Sequence, residues 1–520
     1  MMLPLVASAW VRDLWAPDEP RYAQVAREVY EGGDLLVMHL CGRVYPDKPP
    51  LLFWMSGALG WLSDWSEFWM RLPSITASLG TAVLVSLLAR RWWGDRAAAL
   101  APALFLGTAL VTEIGGRLQI DPLLTFLCTL ALYLIDEGGN GTISPRARVL
   151  IAGLCVGAGG LAKGPVALVN VGLVVAAWAW LAPRGCLPRV RAPIWITSLV
   201  LALAPSLIWA TAVSLAEPQI ARELFFGQHA GRVSQADRHP GPIWKHFYRM
   251  SLLLLPWTFA VIGGIGEAWR GWRLRQRGEM PDAGLVKAAA WLLVLLLFFS
   301  IIPPKRDLYL LPAYPAAALL AARVVTNAIK QRRVARWIGL AGPTALLLAC
   351  ASITLGWLFY DQVEGLVWRG AVIATPLVIG SILALMFLRK GMIEEWTVAI
   401  LVGWCVFGVL AAALLMRPVN SLKSARQVAQ YLAARPEHPS QLPCRDIRPE
   451  AYRFYGDGRV PAVEDDDLEA ALRREGRDFL ALVSPTVWDT LDPYLKRKLR
   501  VLKESKVGGK EVLVLGAGGS

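Results

Sequence analysis

Long apolar runs separated by short polar connections set the pattern of this chain. Runs lie near 72–92, 97–114, 121–136, 149–162, 163–182, 193–215, 246–264, 285–302, 308–324, 337–359, 367–388 and 396–416. Most approach the roughly 20 apolar residues that cross a bilayer as a helix. The run from Leu3 to Val11 is too short to span fully, so the first helix is either truncated or crosses only part of the membrane. A cleaved signal peptide would need a basic leading region and a small-residue cleavage site. Counting this first element, the pattern predicts a polytopic α-helical membrane protein with about 13 transmembrane helices. The run 51–62 follows Pro49-Pro50 and is also short, which predicts a helix lying at the interface or dipping in. Residues 20–31 place Tyr22, Val25, Ala26 and Val29 on one face, which predicts a helix flat on the membrane surface with Asp18 as its cap.

From residue 417 the pattern changes. The stretch is polar, with short strand-like runs at Phe479–Val483 and Glu511–Leu515 and helix-like runs at Gln427–Ala434 and Leu468–Arg474. Such alternation predicts a small α/β domain over 417–520, after a membrane domain over 1–416 whose 12–71 segment forms a long outer loop. The glycine-rich end at 516–519 has no helix after it and is no dinucleotide site.

Composition agrees. The chain is 55% hydrophobic and 18% charged, with mean hydropathy +0.44, which excludes a soluble cytosolic enzyme, a disordered chain and a coiled coil. The net charge of +14 would suggest nucleic acid in a soluble protein. Here the arginines cluster between apolar runs, as cytoplasmic loops do, so no nucleic-acid partner is expected. Arg90, Arg91 and Arg96 begin the series, which continues through Arg146 and Arg148, Arg184 to Arg191, Arg270 to Arg277 and Lys330 to Arg336, and ends at Arg389 and Lys390. The other connections, and the C-terminal domain, then face the periplasmic side of a bacterial inner membrane. Cys41 and Cys444 are the one cysteine pair placed to meet an oxidising compartment, and a disulfide between them stays open.

The outward-facing set holds the chemistry. The first outer loop reads Asp18-Glu19-Pro20-Arg21-Tyr22-Ala23, then Tyr45-Pro46-Asp47-Lys48-Pro49-Pro50. Asp121 begins a span, and Lys163 stands between two apolar runs. His229 and Arg232 lie in the 216–245 loop, and Lys305 precedes Tyr309. Each alone is explained as well by a capped turn, a snorkelling lysine or a structural ion pair. Together they form acids beside cations at membrane level, which suits a phosphate leaving group and a base that activates an acceptor.

These segments resemble a known family. The DE-x-RYA motif, KPPL-x-FW, the Asp-Pro pair at 121–122, AKGP at 162–165, H-x-x-R at 229–232 and the stretch from Lys305 to Tyr309 look like the GT-C glycosyltransferases that use polyprenyl-phosphate sugars. The nearest group is that of the lipid A aminoarabinose transferases and protein O-mannosyltransferases. The resemblance implies a GT-C fold and a sugar, such as aminoarabinose or mannose, moved from a polyprenyl-phosphate carrier to lipid A, another envelope glycan or a protein hydroxyl. It implies Asp18 as general base, with Glu19 and Arg21 shaping its surroundings. Lys48, Arg232 and Tyr309, helped by Tyr45, would hold the carrier phosphate, and Lys305 joins this set. Asp121 and Lys163 would line the donor site. A divalent metal would fall to Asp47 and His229, a thin ligand set beside the four usual for zinc. The rival reading is a transporter or flippase of lipid-linked sugar, which would place its charges near the midplane in matched halves. A membrane anchor whose C-terminal domain does the binding is a third, and leaves the outer loops unexplained.

Overall fold

A computed structural model describes residues 1–136, 143–182, 186–219, 241–275, 281–303, 305–332, 366–465 and 467–518, with scattered residues between 339 and 352. The run at 337–359 falls largely outside the described residues, as do His229 and Arg232.

The chain is a multi-pass helical membrane protein. Among the described residues seven helices are long and apolar enough to span: Glu67–Trp93, Pro145–Lys163, Ala192–Ala216, Ala283–Ile301, Asp307–Gln331, Val367–Arg389 and Ile393–Lys423. The Lys245–Leu253 and Thr258–Leu274 helices, bent by 118°, make an eighth if they form one span. Met2–Val11, Leu51–Leu62, Ile120–Ile135 and Val166–Leu181 are shorter apolar helices. Several predicted runs break where the backbone cannot continue. The 97–114 run divides at Gly107-Thr108, and the 246–264 run turns at 254–257, where Pro256 has no N–H to donate. The 308–324 run opens with a 3-10 turn, Asp307–Ala313, that contains Pro312. The Ala192–Ala216 helix exposes Ile196, Leu199, Val200, Leu203, Leu207 and Ile208, a surface suited to lipid rather than water.

The chain divides into two compact units. One comprises Met1–Ser8, Pro46–Leu52 and Pro73–Ala412. Its core holds Val85, Leu88, Leu104, Trp178, Trp291 and Ala317. Small residues bring its helices close. A Cβ on Gly153 would lie 2.4 Å from the Ser198 carbonyl oxygen, and one on Gly157 would lie 2.5 Å from that of Leu201. Asp136 is fully buried, accepts from Arg91 at 3.1 Å and Trp92 at 3.1 Å, and pairs with Lys287. Lys287, an ionisable residue inside a span, is thus neutralised by a partner, as burial in apolar surroundings demands.

The other unit comprises Ala9–Tyr45, Phe53–Leu72 and Ala413–Ser520. Strands β1 (His39–Leu40) and β2 (Arg43–Val44) form a small hairpin. A five-stranded mixed sheet follows, from β3 (Leu442–Arg445), β4 (Ala462–Glu464), β5 (Leu480–Val483), β6 (Leu499–Val507) and β7 (Lys510–Ala517). The order is β4-β3-β5-β7-β6, with β3 parallel to β4 and β5, and β7 antiparallel to β5 and β6. All four β5 residues are buried, as a central strand covered on both faces requires. Val428, Leu432 and Tyr452 cover one face, and Leu468, Ala471 and Leu495 the other. The strand-and-helix pattern read from 417–520 is present.

Two expectations for this unit are corrected, and the disulfide left open is not formed. The helix after the first short run begins at Asp18, not Pro20, and Pro17 rather than Asp18 takes the N-cap position. The apolar face of that Asp18–Glu31 helix is not spread on lipid. It packs against the Glu450–Tyr455 helix, where Arg27 donates to the Phe454 carbonyl at 3.2 Å and to Asp457 at 2.6 Å. An apolar stripe read alone cannot say which apolar partner covers it, and here the C-terminal region supplies one. Cys41 and Cys444 are free thiols, with Cys444 fully buried in β3.

Candidate active site

Among the described residues, two clusters of predicted residues form, one in each unit. In the unit with the mixed sheet, Asp18 opens its helix and is 5% exposed. Arg21, one turn on, donates to its Oδ1 at 2.5 Å. The spacing of three residues on a helix makes this pairing local. Arg21 also lies 5.4 Å from the Tyr22 ring, and Tyr22 and Tyr45 both pack edge-on against Phe53. Asp18 is thus a carboxylate held in one orientation by an arginine among aromatic rings. Glu19 faces differently. Its carboxylate accepts from Arg12 at 3.3 Å, Arg71 at 3.0 Å and the Trp15 N–H at 3.2 Å, so it ties the segment before the helix in place.

A cavity of about 250 Å³ flanks the Asp18-Glu19 pair, with Pro17 and Pro20 in its wall. Arg448 and Lys510 also line it, as do Tyr452 and Glu450. Most of the lining is apolar, and the two cations are exposed. Two carboxylates, Asp446 and Glu450, line it with the two cations, so a pocket of this kind suits an amphipathic group with a charged end.

Glu450 escaped the sequence reading, since one glutamate in a polar stretch carries no signal. It is 5% exposed, and it belongs to the charges acting on Arg21. Burial lifts its carboxyl above the ordinary value, while its own backbone N–H, Arg448 and Arg21 pull it back. A carboxyl raised in this way binds its proton more tightly in the folded chain than in the unfolded one. Its stability contribution is therefore fully present below the unfolded pKa of about 4 and is lost as pH rises through the folded value. Glu450→Gln is expected to flatten that part of the stability profile in melting curves taken from about pH 4 to 7.

In the helical unit, Asp121 sits in the first turn of the Ile120–Ile135 helix at 4% exposure and pairs with Lys163, the last residue of the Pro145–Lys163 helix. The Lys163 ammonium lies 4.8 Å from the Tyr309 ring centroid. An acid, a lysine and a tyrosine from three separate elements thus meet. Lys305, four residues before Tyr309, is 3% exposed and donates to the carbonyl oxygens of Ser300 and Ile302. Lys48 and Asp47 lie in the turn before the Leu51–Leu62 helix, with the Lys48 ammonium 3.1 Å from the Asp47 carbonyl oxygen. Among the described residues no three His, Cys, Asp or Glu side chains gather as metal ligands.

Arg71 was also missed. It is fully buried and donates to Glu19 and to the carbonyls of Ala9, Arg12 and Asp13 at 2.6–2.9 Å. The available signal was an arginine within an apolar run, which asks for a buried partner.

Comparison with known proteins fits this arrangement. A family model described as dolichyl-phosphate-mannose-protein mannosyltransferase matches residues 5–262. An undecaprenyl phosphate-alpha-4-amino-4-deoxy-L-arabinose arabinosyl transferase of Edwardsiella ictaluri is 30% identical over 440 residues, covering 82% of this chain and 77% of the relative. One of the same name from Pectobacterium carotovorum is 32% identical over 368 residues, covering 68% and 64%. The crystal structure of ArnT from Cupriavidus metallidurans bound to undecaprenyl phosphate has the same fold, with a TM-score of 0.75 and 20% identity over 99% of this chain and 96% of that one. The chain belongs to the family of undecaprenyl phosphate-alpha-4-amino-4-deoxy-L-arabinose arabinosyl transferases, membrane glycosyltransferases of the GT-C type.

Proposed function

We propose that the chain moves 4-amino-4-deoxy-L-arabinose from undecaprenyl phosphate to lipid A on the periplasmic face of the inner membrane. The donor is the one named for the relatives. The observation that carries the chemistry is Asp18, a buried carboxylate oriented by Arg21 beside a cavity with apolar walls and two cations. The acceptor oxygen attacks the anomeric carbon and passes its proton to Asp18. The bond from that carbon to the carrier phosphate breaks, and its electron pair stays on the phosphate oxygen. One displacement inverts the anomeric centre, by analogy with inverting glycosidases. Tyr45, Lys48, Lys163, Arg232, Lys305 and Tyr309 are assigned to the phosphate and the donor sugar, and Asp121 to holding Lys163 in place. Lipid A fits as acceptor because its anionic headgroup can meet Arg448 and Lys510 while its apolar body stays in the membrane.

A protein hydroxyl is the second acceptor reading, favoured by the mannosyltransferase family model over residues 5–262. Mass spectrometry of lipid A and of glycopeptides from cells with and without the gene separates the two. A mass increment of one aminoarabinose on lipid A, dependent on the gene, is the expected result. A gene-dependent hexose on peptides would replace the first acceptor by the second, and no gene-dependent glycan in either fraction would overturn both.

A further inference from the structure

His246 lies in the Lys245–Leu253 helix of the helical unit. It is fully buried, and among the described residues neither ring nitrogen has a hydrogen-bond partner. An unpaired buried polar group works against folding, and a phenylalanine would fill the same space without that cost. Among the described residues Asp307 Oδ1 is buried without a partner, since Arg249 takes only Oδ2, at 3.0 and 2.6 Å, and so is the hydroxyl of Ser300, whose carbonyl accepts from Lys305.

Two lysines act on this imidazole. A Cβ on Gly241 would lie 2.7 Å from Lys245 Cδ and 3.3 Å from Lys305 Cγ, so both stems pack on one glycine. Among the described residues neither lysine forms an ion pair. Two lysines and Arg249 against the one carboxylate of Asp307 leave a net positive charge around the imidazole, which repels a metal ion and attracts an anion. Lys305 also opens the short stretch that carries Tyr309 and, through it, meets Lys163.

We propose that His246, together with Lys245 and Lys305, binds the phosphate of the lipid carrier and holds it most tightly after the sugar has left. This rests on the transferase reading above. The donor is a phosphodiester with one negative charge. The released carrier is a phosphomonoester, which approaches two negative charges near pH 7. Imidazole and ammonium donors fixed in a buried site favour the more highly charged group, and so favour departure of the phosphate.

The test uses the purified full-length chain in nanodiscs, with undecaprenyl phosphate and undecaprenol as probes. Binding is followed by native mass spectrometry and stability by thermal melting. His246→Phe is expected to melt no lower than the native chain, to lose about tenfold in affinity for undecaprenyl phosphate, and to bind undecaprenol unchanged. Lys245→Met is expected to lose similar affinity, and it decides the matter if His246→Phe does not fold. Native affinity for the phosphate in both variants would overturn the proposal, leaving His246 as a buried structural residue. Equal loss for undecaprenol would overturn it too, by placing the effect on the lipid tail. A native chain that binds no undecaprenyl phosphate would instead overturn the transferase reading on which the proposal rests.

Discussion

Asp18→Asn is expected to reduce sugar transfer by about 10²- to 10⁴-fold, the usual worth of a positioned general base. Asparagine keeps the size of the side chain, and its carbonyl oxygen can still accept from Arg21. It cannot take a proton from the attacking acceptor. The loss should appear in turnover, with binding of undecaprenyl phosphate preserved. Purified native and variant proteins, given donor and acceptor lipid and read by mass spectrometry, provide the comparison. A variant that keeps more than a tenth of native turnover would remove Asp18 from the base role, and Glu450 would be the next carboxylate to test.

Arg71→Ala is expected to prevent accumulation of folded protein. The guanidinium spends its donors on Glu19 and on three carbonyls of the segment between Ala9 and Asp13. Alanine leaves those carbonyls unpaired and Glu19 with less compensation. Breaking a buried pair by removing one partner costs about 3–5 kcal/mol, and the unpaired carbonyls add to it. Total domain stability is commonly about 5–15 kcal/mol, so little margin remains. Lysine should not rescue, because one ammonium cannot reproduce the planar fork that reaches several acceptors at fixed angles. Membrane-fraction yield and the melting temperature in detergent measure the effect. Native yield and melting in Arg71→Ala would show that the N-terminal segment is held by other contacts, such as those of Asn420 with Val11, Asp13 and Trp15.

The sequence by itself determined the class of protein and most of the spans. Apolar runs of bilayer length leave few other structures, because a backbone in lipid must satisfy its own hydrogen bonds. The pairing of Asp18 with Arg21 was within reach, since residues three apart on a helix are neighbours. The pairing of Asp121 with Lys163 was not, because their helices meet only when folded. Tertiary structure alone decided what covers the Asp18–Glu31 helix, because a stripe of Tyr22, Val25, Ala26 and Val29 fits lipid and protein equally well. It decided that Glu19 anchors a segment while its neighbour Asp18 faces the aromatic cluster. It also decided which ionisable groups are buried with partners, as Arg71 and Asp136 are, and which without, as His246 is. Periodicity reports which residues leave water, whereas the identity of a buried partner depends on elements far apart in the chain.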